Sequence, residues 1–583
     1  MLECQAQYPC KILVAKLKVW QRCAMTSFYK RFYPYIKDYY LFFFCAICAS
    51  ALNAGCTAYA TYLVKPVLDK IFTEKDAAML LLLPALFVAA YFGKSVGAYA
   101  QNFFVNYIGL DIVRKIREDL LAHMLRLDLE FFNKMRKGEL IARITNDIGL
   151  VRAAVSNYFA DFVRESFTII GLLCVVIYQN PRLAFYSLVV LPLAVLPILI
   201  IIRHLKRISR KTQEKNSDIT SKIAEVFNNA EIIKANNGEK IELEHYKREN
   251  LHFFKLGIKA TLIGGLNGPI METLGAIAIG VVIFVGGSEV IAGNMTTGEF
   301  GSFTTALFML YTPIKRVIGI ITSFQDALVG GERIGQILDL RPNIIDGDKI
   351  LQAPLQEITI NNVHLHYDEV AALNGVSLAV KRDEIIALVG RSGSGKSSLV
   401  NMILRLYDPN SGEIRINGTN IKHFTQKSLR DHIAIVTQRI FIFHDSIATN
   451  VAYGQEVDEA RVIESLKKAQ LWEFVQSCEN GIYTMLDEFG ANLSGGQRQR
   501  IAIARAIYRD CDVIIFDEAT SALDIHTEEA IRESIDTIKK DKIIILIAHR
   551  PSTISLASRV YCLENGIITN TTTPQGFLTH YEV

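Results

Sequence analysis

The densest chemistry in the sequence lies at Gly390-Arg-Ser392-Gly393-Ser394-Gly395-Lys396-Ser397-Ser398. Glycines at this spacing let backbone N–H groups converge on an anion, and the lysine and serines add a cation and hydroxyl oxygens. The run Glu384–Val389 before the loop reads as a buried strand, and Leu399–Leu406 after it as an apolar helix. Strand, glycine-rich loop and helix in that order cradle the phosphates of a nucleoside triphosphate. Lys396 is expected to reach the β- and γ-phosphates, and Ser397 to give an oxygen to Mg2+.

A second apolar strand, Val513–Phe516, runs into Asp517-Glu518. Asp517 is placed to hold Mg2+ through water, and Glu518 to polarise an attacking water as general base. Strands that end in Asp-Glu are common among α/β proteins. The weight of this one comes from Leu493-Ser494-Gly495-Gly496-Gln497 upstream of it.

That pentapeptide, followed by Arg498–Ala506, closely resembles the signature motif of ATP-binding-cassette proteins, and the match continues residue by residue over about 355–580. The resemblance implies that Tyr367 stacks on adenine, that Gln438 is the Q-loop glutamine near metal and water, and that His549 contacts the γ-phosphate. It also implies that Glu488 lies in the segment coupling to the membrane, and that Ser521-Ala522-Leu523-Asp524 is the D-loop. Ser494, Gly495, Gly496 and Gln497 form a second phosphate-binding surface in that family. One chain cannot fold it onto its own loop, so two cassettes meet head to tail. A single cassette per chain then implies a closed two-fold homodimer.

The elements that position this chemistry differ sharply along the chain. Half of the 583 residues are hydrophobic, and mean hydropathy is +0.23. The long apolar runs all precede about residue 325. A bilayer span needs about 20 apolar residues, and six candidates qualify: 39–64, 77–106, 159–179, 182–203, 260–286 and 296–325. The loop over 107–150 holds eight Lys/Arg and the segment 203–259 thirteen, whereas the short loops hold few. The positive-inside rule places both long loops and both termini in the cytoplasm. Helical periodicity over 107–130 and 204–255 predicts that membrane helices continue into water. Phe131–Asn133 reads as a turn, with a short helix over Gly138–Asp147, at one loop tip. Ala224–Gly238 is the other tip.

Net charge is +4, which excludes a bulk nucleic-acid binder. Cys45 and Cys48 form a C-x-x-C inside an apolar run with no second pair or nearby His, so small-residue helix packing is expected rather than zinc. Residues 1–24 read as a basic amphipathic surface helix rather than a cleaved leader, with Met25 as an alternative start.

Four cations at membrane depth need a reason: Lys94, Arg164, Lys315 and Arg316. Snorkelling at a span end is one, and a cavity for an anionic substrate is the other. Glu165 and Glu272 read as single acids in ion pairs or at loop edges. Six spans and a cassette in one chain resemble the exporter half-transporters. Phe131–Lys134, Ala142–Asp147, Val163–Leu172 and Pro313–Lys315 are similar to the bacterial lipid A flippase family. That resemblance implies that Lys94, Arg164 and Lys315 belong to a basic ring holding phosphorylated glucosamines. Thr312 stands where the family often has Arg, and Arg316 compensates.

The expected fold is an α-helical six-span transmembrane domain plus an α/β P-loop nucleotide-binding domain. An elbow spans 1–37, the membrane domain 38–335 and the ATP-binding domain 336–583. The expected activity is ATP-driven export, from inner to outer leaflet of a bacterial inner membrane, of an anionic lipid A-type glycolipid. Lipid-linked oligosaccharide, drug or peptide export stays open. An ATP-gated channel is disfavoured, because every hydrolysis position is present.

Overall fold

The structure is a computed structural model and describes residues 28, 30–185, 208, 211–213, 215–518 and 525–580. Residues 1–27, the Ser521–Asp524 motif and most of the expected span over 182–203 lie outside the described residues. Contacts divide the chain into two compact units. One is Met1–Met124 with Leu140–Asp339, and the other is Leu125–Glu139 with Leu340–Val583.

The first unit is helical. Its described long helices are Tyr40–Tyr62, Met79–Met124, Phe159–Gln179, Glu239–Gly265, Asn267–Ile291 and Thr297–Leu338. By length and composition, three stretches of described helix can cross a membrane: Lys30–Thr73, Met79–Met124 and Thr297–Leu338. The 46 residues of Met79–Met124 extend roughly 70 Å at about 1.5 Å per residue, twice a hydrocarbon core. Leu81, Val88 and Phe92 are exposed at 84%, 68% and 71%, as apolar side chains facing lipid are.

Small residues bring these helices together, because packing inside lipid depends on close backbone approach. Ala46, Ala49, Ser50, Asn53, Ala54, Thr57, Ala60 and Thr61 are buried on the Tyr40–Tyr62 helix. Their three- and four-residue spacing makes one face. A Cβ on Gly97 meets the Ala49 carbonyl at 2.8 Å. Asn53 donates its amide to the Lys94 carbonyl at 2.9 Å. Cys45 is half-buried and Cys48 exposed, so this face uses Ala, Ser and Thr rather than that pair.

The expected fifth span carries a break. The helix Glu239–Gly265 ends and Asn267–Ile291 begins around Leu266. Pro269 lacks the N–H that bonds the Gly265 carbonyl, which is reason enough for a kink there. Thr296 caps the Thr297–Leu338 helix in a reciprocal box with Glu299.

In the second unit, the first loop tip differs from the expected turn. Leu129–Lys134 is a short helix. Asp128 precedes it in extended backbone and Glu130 sits in its first turn, an arrangement that favours a helix start. This helix belongs to the unit that holds the sheets.

Among the described residues those sheets are two. An antiparallel one has order β2-β1-β4-β5, from β1 Glu357–Tyr367, β2 Val370–Lys381, β4 Ser411–Ile416 and β5 Thr419–Asn420. The other has order β10-β9-β3-β8-β7-β6, from β3 Ile385–Val389, β6 Ile433–Val436, β7 Val513–Asp517, β8 Ile543–Ile547, β9 Arg559–Glu564 and β10 Ile567–Thr572. Strands β9, β3, β8, β7 and β6 run parallel. β3 and β8 are buried at every residue, as parallel strands covered on both faces must be.

Candidate functional site

Strand order explains the site. The loop Gly390–Lys396 leaves the carboxyl end of β3, His549 follows β8, Asp517 and Glu518 close β7, and Gln438 follows β6. Four adjacent parallel strands thus deliver five candidate side chains to one edge, where open α/β sheets bind ligands.

The loop takes its shape from its glycines. Gly390 and Gly395 have φ of +150° and +103°. A Cβ on Gly390 falls 2.1 Å from the Leu563 carbonyl, and one on Gly395 falls 2.6 Å from the Ala372 carbonyl. No larger residue fits either place without moving backbone. Gly393 has φ +80° with open space around it, so its need is conformational alone. Ser392 is exposed, Ser394 buried and Ser398 half-buried. The buried Ser394 hydroxyl has no hydrogen-bond partner among the described residues, which suits a loop that awaits phosphate oxygens.

Lys396 opens the helix Lys396–Ile403. Its ammonium donates to the Gly390 and Arg391 carbonyls at 2.7 and 3.0 Å. The side chain therefore folds over the loop it serves. Burial lowers its pKa, against the opposing pull of Glu518 and Asp517. Burial and the adjacent Glu518 raise Asp517, with the Ser397 hydroxyl bonded to it. Two adjacent half-buried carboxylates and the exposed Ser397 hydroxyl form a hard oxygen set that fits a divalent cation such as Mg2+.

Glu518 is bracketed. Gln438 donates its amide to Glu518 Oε2 at 2.5 Å, and His549 Nε2 lies 3.2 Å from Oε1. Its backbone N–H bonds the Ile547 carbonyl at 3.1 Å, and its φ is +50°. A glutamate in left-handed backbone is strained, and such strain persists where surroundings over-determine a functional group. The carboxylate is fixed from both sides at the strand edge.

The signature surface is built differently. Ser494 caps the helix Gly495–Arg509, accepting from Gln497 N, while Gln497 Oε1 accepts from Ser494 N. Ser494 and Gly495 are exposed and Gly496 and Gln497 half-buried. The start of a 15-residue helix thus presents N–H groups and a hydroxyl to solvent, an anion-binding arrangement.

Tyr367 packs edge-on against Tyr407, ring centroids 5.1 Å apart. Tyr407 accepts from Asn133 Nδ2 at 2.9 Å, and Lys134 bridges Asp368 and Glu130 at 2.8 and 2.7 Å. The sequence placed Asn133 in a loop-tip turn and both Asn133 and Lys134 in a family-like stretch, without a role at the site, and did not point to Tyr407. A polar aromatic just after the phosphate-loop helix was the available signal.

The four membrane-depth cations separate into two kinds. Arg164 and Arg316 converge on Glu165, which is 3% exposed, each with a nitrogen 2.9 Å from Oε1. Arg164 also pairs with Asp161 at 3.0 Å. Lys94 and Lys315 instead lie over the rings of Tyr91 and Tyr311, at 5.3 and 5.9 Å. Neither lysine pairs with a carboxylate among the described residues. Thr312 is exposed.

Comparison with known proteins agrees with this layout. The family profile described as ABC transporter transmembrane region matches residues 43–314, and the one described as ABC transporter matches 373–521. A protein of Syntrophus aciditrophicus named ATP-dependent lipid A-core flippase is 37% identical, over 90% of this chain and 87% of its own. The same name is carried by a relative in Desulfotalea psychrophila, 38% identical over 92% of this chain and 95% of its own. In Vibrio vulnificus the figures are 31%, 93% and 93%. A solved bacterial Atm1-family ABC exporter with ATP bound shares the fold, with TM-score 0.78, 24% identity, and 93% and 96% of the two chains covered. With a transmembrane region, an ATP-binding cassette and relatives along nearly its whole length, the chain belongs to the ABC transporter family, as a multi-pass membrane exporter that couples ATP hydrolysis to transport.

Proposed function

We propose that the protein works as a homodimer in a bacterial inner membrane and flips a lipid A-core-type glycolipid from the inner to the outer leaflet. The observation that carries the engine is Glu518 held between Gln438 and His549. In this reading Glu518 takes the proton of the attacking water, His549 contacts the γ-phosphate and Gln438 senses its presence. Tyr367 stacks on adenine, and Lys396 leaves its two carbonyls for the β- and γ-phosphates. Ser397, Asp517 and Gln438 hold Mg2+, which when bound neutralises phosphate charge. The exposed Ser494–Gln497 edge closes over the ATP of a second copy. ATP then drives closure because it touches both cassettes only in the closed state.

The cargo reading is supported by the flippase relatives and by cations at membrane depth. A cation in hydrocarbon is costly and usually faces a cavity or partner. Lys94 and Lys315 lack a carboxylate partner among the described residues, so they are placed as the standing anion-binding charges. Thr312, where the family often has Arg, keeps a phosphate-bearing lipid-linked oligosaccharide as the second reading. ATPase assays in nanodiscs with lipid A, a lipid-linked oligosaccharide and a neutral hydrophobic drug separate them. Stimulation by lipid A supports the flippase. Stimulation by the drug alone overturns an anionic cargo.

A further inference from the structure

The Arg164–Glu165–Arg316 cluster has an asymmetry that bears on which headgroups the protein accepts. Arg164 is pinned. Its Nη2 and Nε reach Glu165 Oε1 at 2.9 and 3.3 Å, its Nη2 reaches Asp161 at 3.0 Å, and its side chain is 17% exposed. Arg316 places its Nη1 2.9 Å from the same Glu165 oxygen, and its side chain is 58% exposed. One carboxylate oxygen therefore holds two guanidiniums, one fixed by its surroundings and one resting at the end of a long, accessible side chain.

The charges make the consequence specific. Asp161, Glu165, Arg164 and Arg316 sum to zero, so at rest this cluster offers an incoming anion no net attraction. Lys94 and Lys315 supply the charge that does. A buried carboxylate that loses its only partner is strongly destabilised. Glu165 does not face that loss when Arg316 leaves, because Arg164 stays within 2.9 Å. Arg316 can thus exchange a carboxylate for a phosphate at little net cost, and a planar guanidinium suits either acceptor.

We propose that Glu165 is a specificity-determining residue, a resting counter-ion that holds Arg316 until a headgroup bearing a second phosphate takes it. The proposal rests on the anionic-glycolipid reading above and adds to it a threshold in headgroup charge. A singly phosphorylated lipid is met by the lysines and competes poorly with Glu165 for Arg316. A doubly phosphorylated one supplies the extra anion that completes the exchange. In this exchange Arg164 keeps Glu165 paired.

The test uses the full-length protein in phosphatidylcholine nanodiscs and reads the half-stimulating concentrations of bisphosphoryl and monophosphoryl lipid A. Wild type should prefer the bisphosphoryl form by about tenfold, the equivalent of one charge-assisted contact. In Glu165→Gln, which keeps an acceptor for Arg164 but removes the charge, monophosphoryl lipid A should improve until the preference falls below about threefold. In Arg316→Gln the preference should also vanish, now because bisphosphoryl lipid A weakens. A structural role for Glu165 alone changes thermal stability and leaves the preference in place, and that result overturns the proposal. If Glu165→Gln fails to assemble, Arg316→Gln carries the test, since its side chain is largely exposed; an unchanged preference there is equally fatal. Stimulation of the wild type by neither lipid overturns the lipid A reading and this threshold together, whereas stimulation with no shift in preference overturns the threshold alone.

Discussion

Asn133, in the first loop tip, donates its side-chain amide to the hydroxyl of Tyr407 at 2.9 Å, and the Tyr407 ring packs edge-on against Tyr367. A residue from the segment between two membrane helices is thus one contact from the aromatic assigned to adenine. Tyr407→Phe keeps the ring and removes the hydrogen bond, which is worth about 0.5–1.5 kcal/mol. Substrate-stimulated ATPase should fall by roughly twofold to tenfold, with the unstimulated rate less affected. Asn133→Ala should do the same, and the double variant should lose no more than either alone. Full additivity in that cycle rejects the link.

Glu518→Gln leaves the strand edge and the Gln438 contact sterically intact but removes the proton acceptor. Turnover should drop by about 10²–10⁴, the usual worth of a positioned base, while ATP stays bound. Filter binding of radiolabelled ATP beside phosphate release distinguishes this from lost affinity. Wild-type turnover in the variant eliminates Glu518 as the base.

Asp517 predicts a trade between stability and activity. Burial and Glu518 raise its folded pKa above the ordinary carboxylate value. Its contribution to stability is therefore fullest where the unfolded group is protonated, and is lost as pH rises through the folded value. At neutral pH the ionised group is held at a cost in the nucleotide-free protein. Asp517→Asn should raise the melting temperature at pH 7, with the gain shrinking as pH falls through the raised folded value, and should abolish Mg2+-dependent hydrolysis. A lower melting temperature at pH 7 contradicts the assignment. Sites that store such cost are where activity and stability conflict.

Ser494 caps its helix, and the proposed homodimer gives it a second, separable job. As a helix cap, its loss to Ala costs about 0.5–2 kcal/mol, but its loss to Gly only a few tenths. As a phosphate contact across the dimer, both substitutions remove the same hydroxyl. Ser494→Gly should therefore melt close to wild type and still lose most ATPase activity, whereas Ser494→Ala should lose both stability and activity. If Ser494→Gly hydrolyses ATP normally, the serine serves only to start its helix.

Some features of this protein were legible in the chain alone, because their physics is local. A phosphate loop needs its glycines, lysine and serine consecutively, so Gly390–Ser398 announces itself. A span needs only a sum of hydropathy over one stretch, so Met79–Met124 and Thr297–Leu338 were visible, apart from the detail that a helix rather than a turn forms at Leu129–Lys134. Other features are long-range and follow from strand order and helix packing. Gln438 and Glu518 are 80 positions apart and meet because β6 pairs with β7. His549 joins them because β7 pairs with β8. Arg164 and Arg316 read as equal members of a set of four cations. Only tertiary packing brought Arg316, 151 positions away, to the Glu165 oxygen that the neighbouring Arg164 also holds. A count of charges along a chain carries sign and number, but which charges cancel is decided by the distances that folding imposes.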